Sequence, residues 1–326
     1  MRHLVTGGSG FIGTNLIEEL LVQGHELVNV DIVSPSNEAH AIYWKEADIL
    51  DLERLLSVFR DFQPEFVVHL AARTDTVGTH LDEYVVNTKG TENVLAAIEA
   101  VDSIQRTVIT STQFVNQYNG VPKDDLDYAP HTVYGESKVI NEQMTRKANL
   151  RSAWTIIRPT NIWGPWHSRY PHEFWRALGK GLYFHPGAKD VVRSYGYVKN
   201  VVYQIIRILE VDLGLVSSQV FYVGDESIEL IDWVNGFSLG QTGKEVRVIP
   251  TSVVRTMAIC GDVLGLLKIK FPITSSRFKS MTTSNGISMD KTTEALGSPP
   301  YTLEVGVQET VEWLRIYYPD LVRVKS

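Results

Sequence analysis

Cysteine is almost absent: Cys260 is the only one among 326 residues, so no intramolecular disulfide can form and no cysteine-built zinc cage is available. A reducing compartment suits such a chain. No uncharged apolar run reaches the ~18 residues of a membrane-spanning helix, and MRHLVTGGSGFIG passes straight into a folded motif without an apolar leader, so the expected localisation is cytoplasmic. Positive charge is in deficit, with 31 Lys plus Arg against 38 Asp plus Glu and a net charge of -7. That balance argues against a nucleic-acid polymer or an anionic membrane as the main partner, and leaves room for a small anion in a local basic pocket. Internal repeats and low-complexity tracts are also missing.

What is present is ordinary globular composition, 44% hydrophobic and 21% charged, in a chain long enough for two lobes or for one large sheet with an appended lobe. Short apolar runs alternate with longer helix-like segments: HLVTG, FIGTNLIEELLVQG, HELVNVD, DLERLLSVFRDF, FVVHLAA. This is the rhythm of an α/β protein, a doubly wound parallel sheet of the Rossmann type whose strands are buried on both faces. The pattern predicts a helix over 83–101, a strand over 105–110, a long helix over 134–149, a strand over 153–158 and a closing helix over 303–317. Proline, tryptophan and histidine accumulate in PTNIWGPWHSRYPHEFW, which places the expected boundary at 165: a dinucleotide-binding domain over 1–165, with a return contribution near 190–215, and a substrate lobe over 166–326. The apolar stretch 253–267, VVRTMAICGDVLGLL, reads either as a membrane-surface helix or as a helix packed inside the second lobe. Its shortness and lack of a basic face favour the packed helix.

Gly7, Gly10 and Gly13 follow the first strand and open the first helix, with Phe11 and Ile12 at the helix start. Glycine permits a tight turn and lets backbone approach a pyrophosphate, to which the helix N-terminus offers N–H donors and positive dipole. The spacing is GxxGxxG, and glycines alone would be a weak signal. Asp31, 18 residues beyond Gly13 at the end of the second strand, strengthens it, because a carboxylate there holds the adenosine ribose diol and repels a 2′-phosphate. NAD is therefore expected over NADP.

TGGSGFIG, the later HLAA at 69–72, the pair Asp48-Ile49 and Asn87 in VVNTKGT together resemble the NAD-dependent epimerase/dehydratase branch of the extended short-chain dehydrogenases. The resemblance is regular to about residue 165 and thinner beyond. It implies that Asp48 and Ile49 flank the adenine ring, that Ala71 and Ala72 lie against the coenzyme, and that Asn87 belongs to the same site. It also implies a homodimer paired through the helix at 83–101 and the helix carrying Tyr134.

Tyr134 and Lys138 stand four residues apart, on one face of a helix. A phenol is a poor base at neutral pH unless a nearby cation stabilises its phenolate, so the pair makes a plausible acid/base, with Lys138 also gripping the nicotinamide ribose. Tyr195 and Lys199 repeat the spacing, but only Tyr134 is preceded by a strand ending in hydroxyls, Thr110-Ser111-Thr112. By resemblance Thr112, with Ser111 as runner-up, steadies the reacting oxygen. The family's 4,6-dehydratases carry Asp-Glu directly after that threonine; Gln113 and Phe114 stand here and shuttle no proton, which argues against dehydration.

Arg158-Pro-Thr-Asn161-Ile-Trp-Gly164-Pro165 resembles the family's RPxNxxGP segment, whose asparagine approaches the substrate diphosphate. VVRSYGYVKNVV resembles RDxxHVxD, with Arg193 as the phosphate-gripping arginine and Tyr197, Val198, Lys199 and Asn200 in place of His-Val-x-Asp. Arg277 or Lys279 offers a second phosphate contact. Trp166, His167, Tyr170 and His172 show no convincing ligand spacing, so a substrate-lining loop and no metal are expected. Three functions stay open: an NAD-dependent nucleotide-sugar epimerase acting at C4 of a UDP-hexose, a reductase or dehydrogenase of a 4-keto nucleotide sugar or another carbonyl such as a steroid, and a non-catalytic NAD-binding sensor.

Overall fold

Each strand of the first half is short, apolar and rich in β-branched residues, which suits a parallel sheet covered on both sides. In the computed structural model, which describes residues 1–117, 120, 122–187, 191–266, 271 and 273–322, these runs form one seven-stranded sheet. In chain order the strands are β1 (Arg2–Thr6), β2 (Glu26–Asp31), β3 (Trp44–Glu46), β4 (Phe66–His69), β5 (Arg106–Thr110), β6 (Ala153–Pro159) and β7 (Gln219–Val223). Spatially they run β7-β6-β5-β4-β1-β2-β3, every neighbouring pair parallel. The order reverses beside β1, where α/β sheets open a crevice at the carboxyl ends of their strands.

The chain divides into two compact units. The first comprises 1–162, 196–225 and 288–300. Its helices include α1 (Phe11–Val22), α2 (Leu52–Phe62), α3 (Thr91–Glu99), α4 (Val133–Lys147) and α5 (Val198–Glu210). Leu4, Val30, Val67, Ile109 and Ile156 of the sheet bury against Leu55 and Phe59 of α2 and Val94 and Ile98 of α3. α1 and α5 pack together.

The helix expected over 83–101 is not continuous. A 3-10 turn at Leu81–Tyr84 and a single π-turn at Val86–Gly90 precede α3. The reason is local: the Asn87 carboxamide is committed to the backbone of Arg73, and a side chain at Gly90 would press on Ile49 at 2.6 Å. Such π-turns concentrate at functional sites.

The second unit comprises 163–195, 226–287 and 301–326. Its aromatic core gathers Phe174, Trp175, Trp233 and Phe237, with helices α6 (Leu230–Thr242) and α9 (Leu303–Tyr317) packed together. The segment read as an interior helix is α7 (Thr251–Leu266), followed by α8 (Ser275–Thr282); Leu267 lies outside the described residues. Only Val254, Ala258 and Gly261 of α7 are buried, against Ile273, so most of this helix is exposed and the interior reading is corrected. Packing a neighbouring strand-and-loop needs only one narrow face of it. No helix among the described residues is long and apolar enough to cross a membrane.

Candidate coenzyme and catalytic site

The turn after β1 is built for close approach. Gly7 takes φ +74°, and a Cβ there would lie 2.5 Å from the Ala71 nitrogen; a Cβ at Gly13 would lie 2.4 Å from the Gly7 carbonyl oxygen. Both positions require glycine for the packing of the turn itself. Gly10 is different: its Cβ would meet only the Gly7 carbonyl, at 3.2 Å, and would otherwise project into open space. Gly10 is the N-cap of α1 and offers no side-chain hydrogen bond, so Phe11, Ile12 and Gly13 stand at a helix N-terminus whose cap residue supplies no acceptor. Backbone donors, dipole and clearance for a pyrophosphate coincide at this point, so the residues present fit a dinucleotide.

At the end of β2 the Asp31 carboxylate accepts from the backbone N–H groups of Ser9 and Val33, at 3.1 and 3.0 Å. Burial raises its pKa above the ordinary carboxylate value, and those N–H groups pull it back. The carboxylate therefore sits beside the glycine turn. Asp48 accepts from Leu50 N–H at 2.9 Å, which shapes the turn carrying Ile49, and the Ile49 and Leu50 carbonyls are held by Asn93.

Beyond β4 the chain passes through Ala71 and Ala72 to Arg73. Asn87 grips this loop on both sides of one residue, accepting from Arg73 N–H and donating to Arg73 C=O, and also donates to Ser137 Oγ of α4. His69 lies below. Its Nδ1 meets Thr6 Oγ1 at 2.7 Å and its Nε2 meets Thr91 Oγ1 at 3.1 Å. Since the Thr91 proton goes to the Asn87 carbonyl, His69 carries its proton on Nε2 and accepts from Thr6. Burial, then the nearby Lys138 charge, push its pKa down to about 3, so it is neutral and structural. This ladder ties β1, the glycine turn's anchor, to α4.

Thr132 caps α4 by accepting from Gly135 N–H, and the helix buries Tyr134, Lys138 and Glu142 on one face, four residues apart in turn. Lys138 Nζ donates to the Thr110 carbonyl at 2.9 Å. Burial lowers its pKa to about 8, while Glu142 acts in the opposite direction. Ser111 donates to Glu142 at 2.6 Å, so its hydroxyl is spent. Thr112 Oγ1 instead accepts from Phe114 N–H and keeps its own proton as a donor. The geometry thus separates the two hydroxyls that the sequence leaves as alternatives.

Glu142 was missed by sequence reasoning, although its register with Tyr134 and Lys138 was the available signal. Besides Ser111 it holds Arg158 and the Tyr128 hydroxyl. Burial alone would lower the Arg158 pKa; the hydrogen bonds and charge of Glu142 more than reverse this and raise it. Gln113, where a dehydratase has an acid, donates to the Asn161 carboxamide oxygen at 3.1 Å. Phe114 meets Tyr134 edge-on, with ring centroids 6.2 Å apart. In the stretch 197–200, Tyr197 N–H and Asn200 Nδ2 both donate to Asp225, the local network that replaces His-Val-x-Asp.

The chain matches the family model described as the NAD dependent epimerase/dehydratase family over residues 3–224. The chain belongs to that family. It is accordingly an NAD-dependent enzyme of the extended short-chain dehydrogenase type. It is 25% identical to the N-acetyl-alpha-D-glucosaminyl-diphospho-ditrans,octacis-undecaprenol 4-epimerase of Escherichia coli O157:H7, over 95% of this chain and 94% of that protein. It is 28% identical to the UDP-glucose 4-epimerase of Vibrio cholerae, over 95% and 94% respectively. The fold is similar to the structure of UDP-glucose 4-epimerase from Thermotoga maritima, with TM-score 0.73, 23% identity, and coverage of 97% of this chain and 99% of that one.

The remaining family member residues lie in the second unit. Arg193 is buried, its guanidinium donating to the Ser280 carbonyl and, at 3.4 Å, to Ser280 Oγ. Arg277 is exposed on α8, and its backbone N–H is capped by Thr274. Tyr195, the other tyrosine of the repeated spacing, stacks flat on Trp233, with centroids 4.1 Å apart and planes 6° from parallel. His167 stacks on Tyr170 at 4.0 Å and accepts from Arg169 and Tyr170 N–H. Among the described residues no three His, Cys, Asp or Glu side chains gather around a common point.

Proposed function

We propose that this enzyme epimerises C4 of a UDP-linked hexose, using tightly held NAD and no net redox change. The observation that carries the reading is the contrast along one edge of the site: α4 supplies Tyr134 and Lys138, while Gln113 is locked onto Asn161 and Phe114 is apolar, so no acid/base pair for dehydration follows Thr112. Similarity to two 4-epimerases of sugars joined to a diphosphate supports it.

Bound NAD would supply reversible hydride transfer at C4 of the sugar. Tyr134 removes the C4 hydroxyl proton at its phenolic oxygen and later returns it. Thr112 donates a hydrogen bond to the reacting oxygen, and Lys138 stabilises negative charge on the Tyr134 oxygen. The first unit is the coenzyme domain: Gly7, Gly10, Phe11, Ile12 and Gly13 bind pyrophosphate, Asp31 the ribose diol, Asp48 and Ile49 the adenine, with Ala71, Ala72 and Asn87 in the same coenzyme site. By family resemblance Asn161, Arg193 and Arg277 are the residues for the substrate diphosphate. Pairing through α3 and α4 into a homodimer rests on family resemblance, and light scattering of the purified protein checks it.

The test is proton NMR of UDP-glucose and UDP-N-acetylglucosamine with protein purified without added coenzyme. Galacto-configured signals that vanish in Tyr134→Phe, without stoichiometric NADH, support the epimerase. Net NADH consumption with keto substrates and no isomerisation overturns it in favour of a reductase.

A further inference from the structure

A solvent-facing helix of a globular protein normally turns its polar side outward. α7 presents apolar residues on both sides. Val254, Ala258 and Gly261 face inward against Ile273. On the opposite side Val253, Ile259, Cys260, Val263 and Leu266 fall within an arc of about 140° at 3.6 residues per turn. Ile259 and Val263 are each 54% exposed and Leu266 is 84% exposed. Only Ser252 and Thr256 interrupt the arc, and Arg255 and Asp262 lie at its border. The Asp262 carboxylate is engaged at the start of α8, accepting from Ser275 N–H at 3.1 Å.

Charge is distributed just as unevenly. Between Gly243 and Met289 the sequence carries seven Lys or Arg and two Asp or Glu, a balance of +5 that leaves -12 for the rest of a chain whose total is -7. Lys244, Arg247, Arg255, Arg277 and Lys279 are exposed. An apolar arc and a basic surround select one class of partner. A second copy meeting this patch with its own would set like charge against like charge. A polynucleotide would gain nothing from an aliphatic arc that offers no stacking surface.

We propose that α7, with α8 beside it, docks the enzyme on the surface of an anionic lipid bilayer. Ile259, Val263 and Leu266 enter the headgroup–acyl boundary, and Arg255 and Lys279 meet the lipid phosphates. The helix lies in the interface rather than crossing it, because no described helix is long and apolar enough to span. The net acidity of the whole chain conceals this local field.

Co-sedimentation of the full chain with vesicles of equal phosphatidylglycerol and phosphatidylcholine, against pure phosphatidylcholine, tests the assignment. The expected result is retention on the anionic vesicles, weakened by salt. Ile259→Glu with Val263→Glu reduces it by about tenfold or more, and Arg255→Glu weakens it also. These exposed substitutions leave thermal melting and epimerisation of soluble UDP-glucose unchanged, which keeps the test apart from the catalytic assignment. Absence of retention, retention equal on neutral vesicles, or retention indifferent to the paired glutamates would overturn the proposal. So would a lipid-free oligomer that the same glutamates dissociate, which would assign the face to another copy of the chain.

Discussion

Arg158 donates through Nε and Nη2 to the two carboxylate oxygens of Glu142, at 2.8 and 2.9 Å, with both side chains wholly shielded from solvent. The same carboxylate accepts from Ser111, the residue before Thr112, so the ion pair fixes the end of β5 against α4. Glu142→Gln leaves a buried guanidinium unbalanced and is expected to destabilise the fold by about 3–5 kcal/mol. Pairing it with Arg158→Met removes the unbalanced charge and should recover part of the loss. A double-mutant cycle by urea denaturation measures both.

Gly10 and Gly13 make opposite demands. Gly13→Ala drives a methyl into the Gly7 carbonyl, so the expected outcome is lowered stability together with lost coenzyme. Gly10→Ala presses only on the Gly7 carbonyl, at 3.2 Å, and should stay within about 1 kcal/mol of wild type in stability. Its methyl occupies the clearance meant for pyrophosphate, and NAD affinity should fall by about tenfold or more. Melting of the coenzyme-free protein and calorimetric titration with NAD separate the two effects.

Asp31 accepts from Ser9 and Val33 N–H beside the turn. Asp31→Asn keeps a hydrogen-bond acceptor and removes the charge that repels a 2′-phosphate. The ratio of NAD to NADP affinity should fall by about tenfold or more, measured by competition for the same site.

Lys138 gives a pH signature. Burial lowers its pKa to about 8 from 10.5, so between these values the unfolded chain binds more protons than the folded one and stability rises with pH. The cost of burying the ammonium is fully present below about pH 8 and fades as pH rises toward the unfolded value. The stability of wild type relative to Lys138→Met should therefore improve between pH 8 and pH 10 in the coenzyme-free protein. Urea midpoints at the two pH values test this; a constant difference contradicts it.

The turn after β1, the place of Asp31 at the end of β2 and the closing helix at Leu303–Tyr317 were legible because each depends on local signals: turn chemistry, strand ends and helical periodicity. Glu142 was not, because a glutamate in a helix ordinarily reads as a solvated charge, and its partner Arg158 lies on a separate strand. The break at Val86–Gly90 was hidden for a similar reason, since the apolar period continues through a turn that Asn87 dictates by gripping Arg73. Resemblance ranks Thr112 above Ser111, and the hydrogen bond that commits the Ser111 hydroxyl to Glu142 was not visible in the sequence. The contribution of 288–300 to the first unit gave no periodic signal; Thr292 anchors it through a hydrogen bond to the Tyr222 carbonyl at 2.6 Å.

The most direct test of C4 epimerisation by internal oxidation and return is turnover of UDP-glucose deuterated at C4, followed by mass spectrometry and NMR of the UDP-galactose formed. The account predicts that the product keeps its deuterium at C4, that retained NAD shows no net reduction, and that Tyr134→Phe slows conversion by about 10²–10⁴-fold while the protein stays folded. Product that has lost deuterium to solvent, or conversion undiminished in Tyr134→Phe, would contradict it.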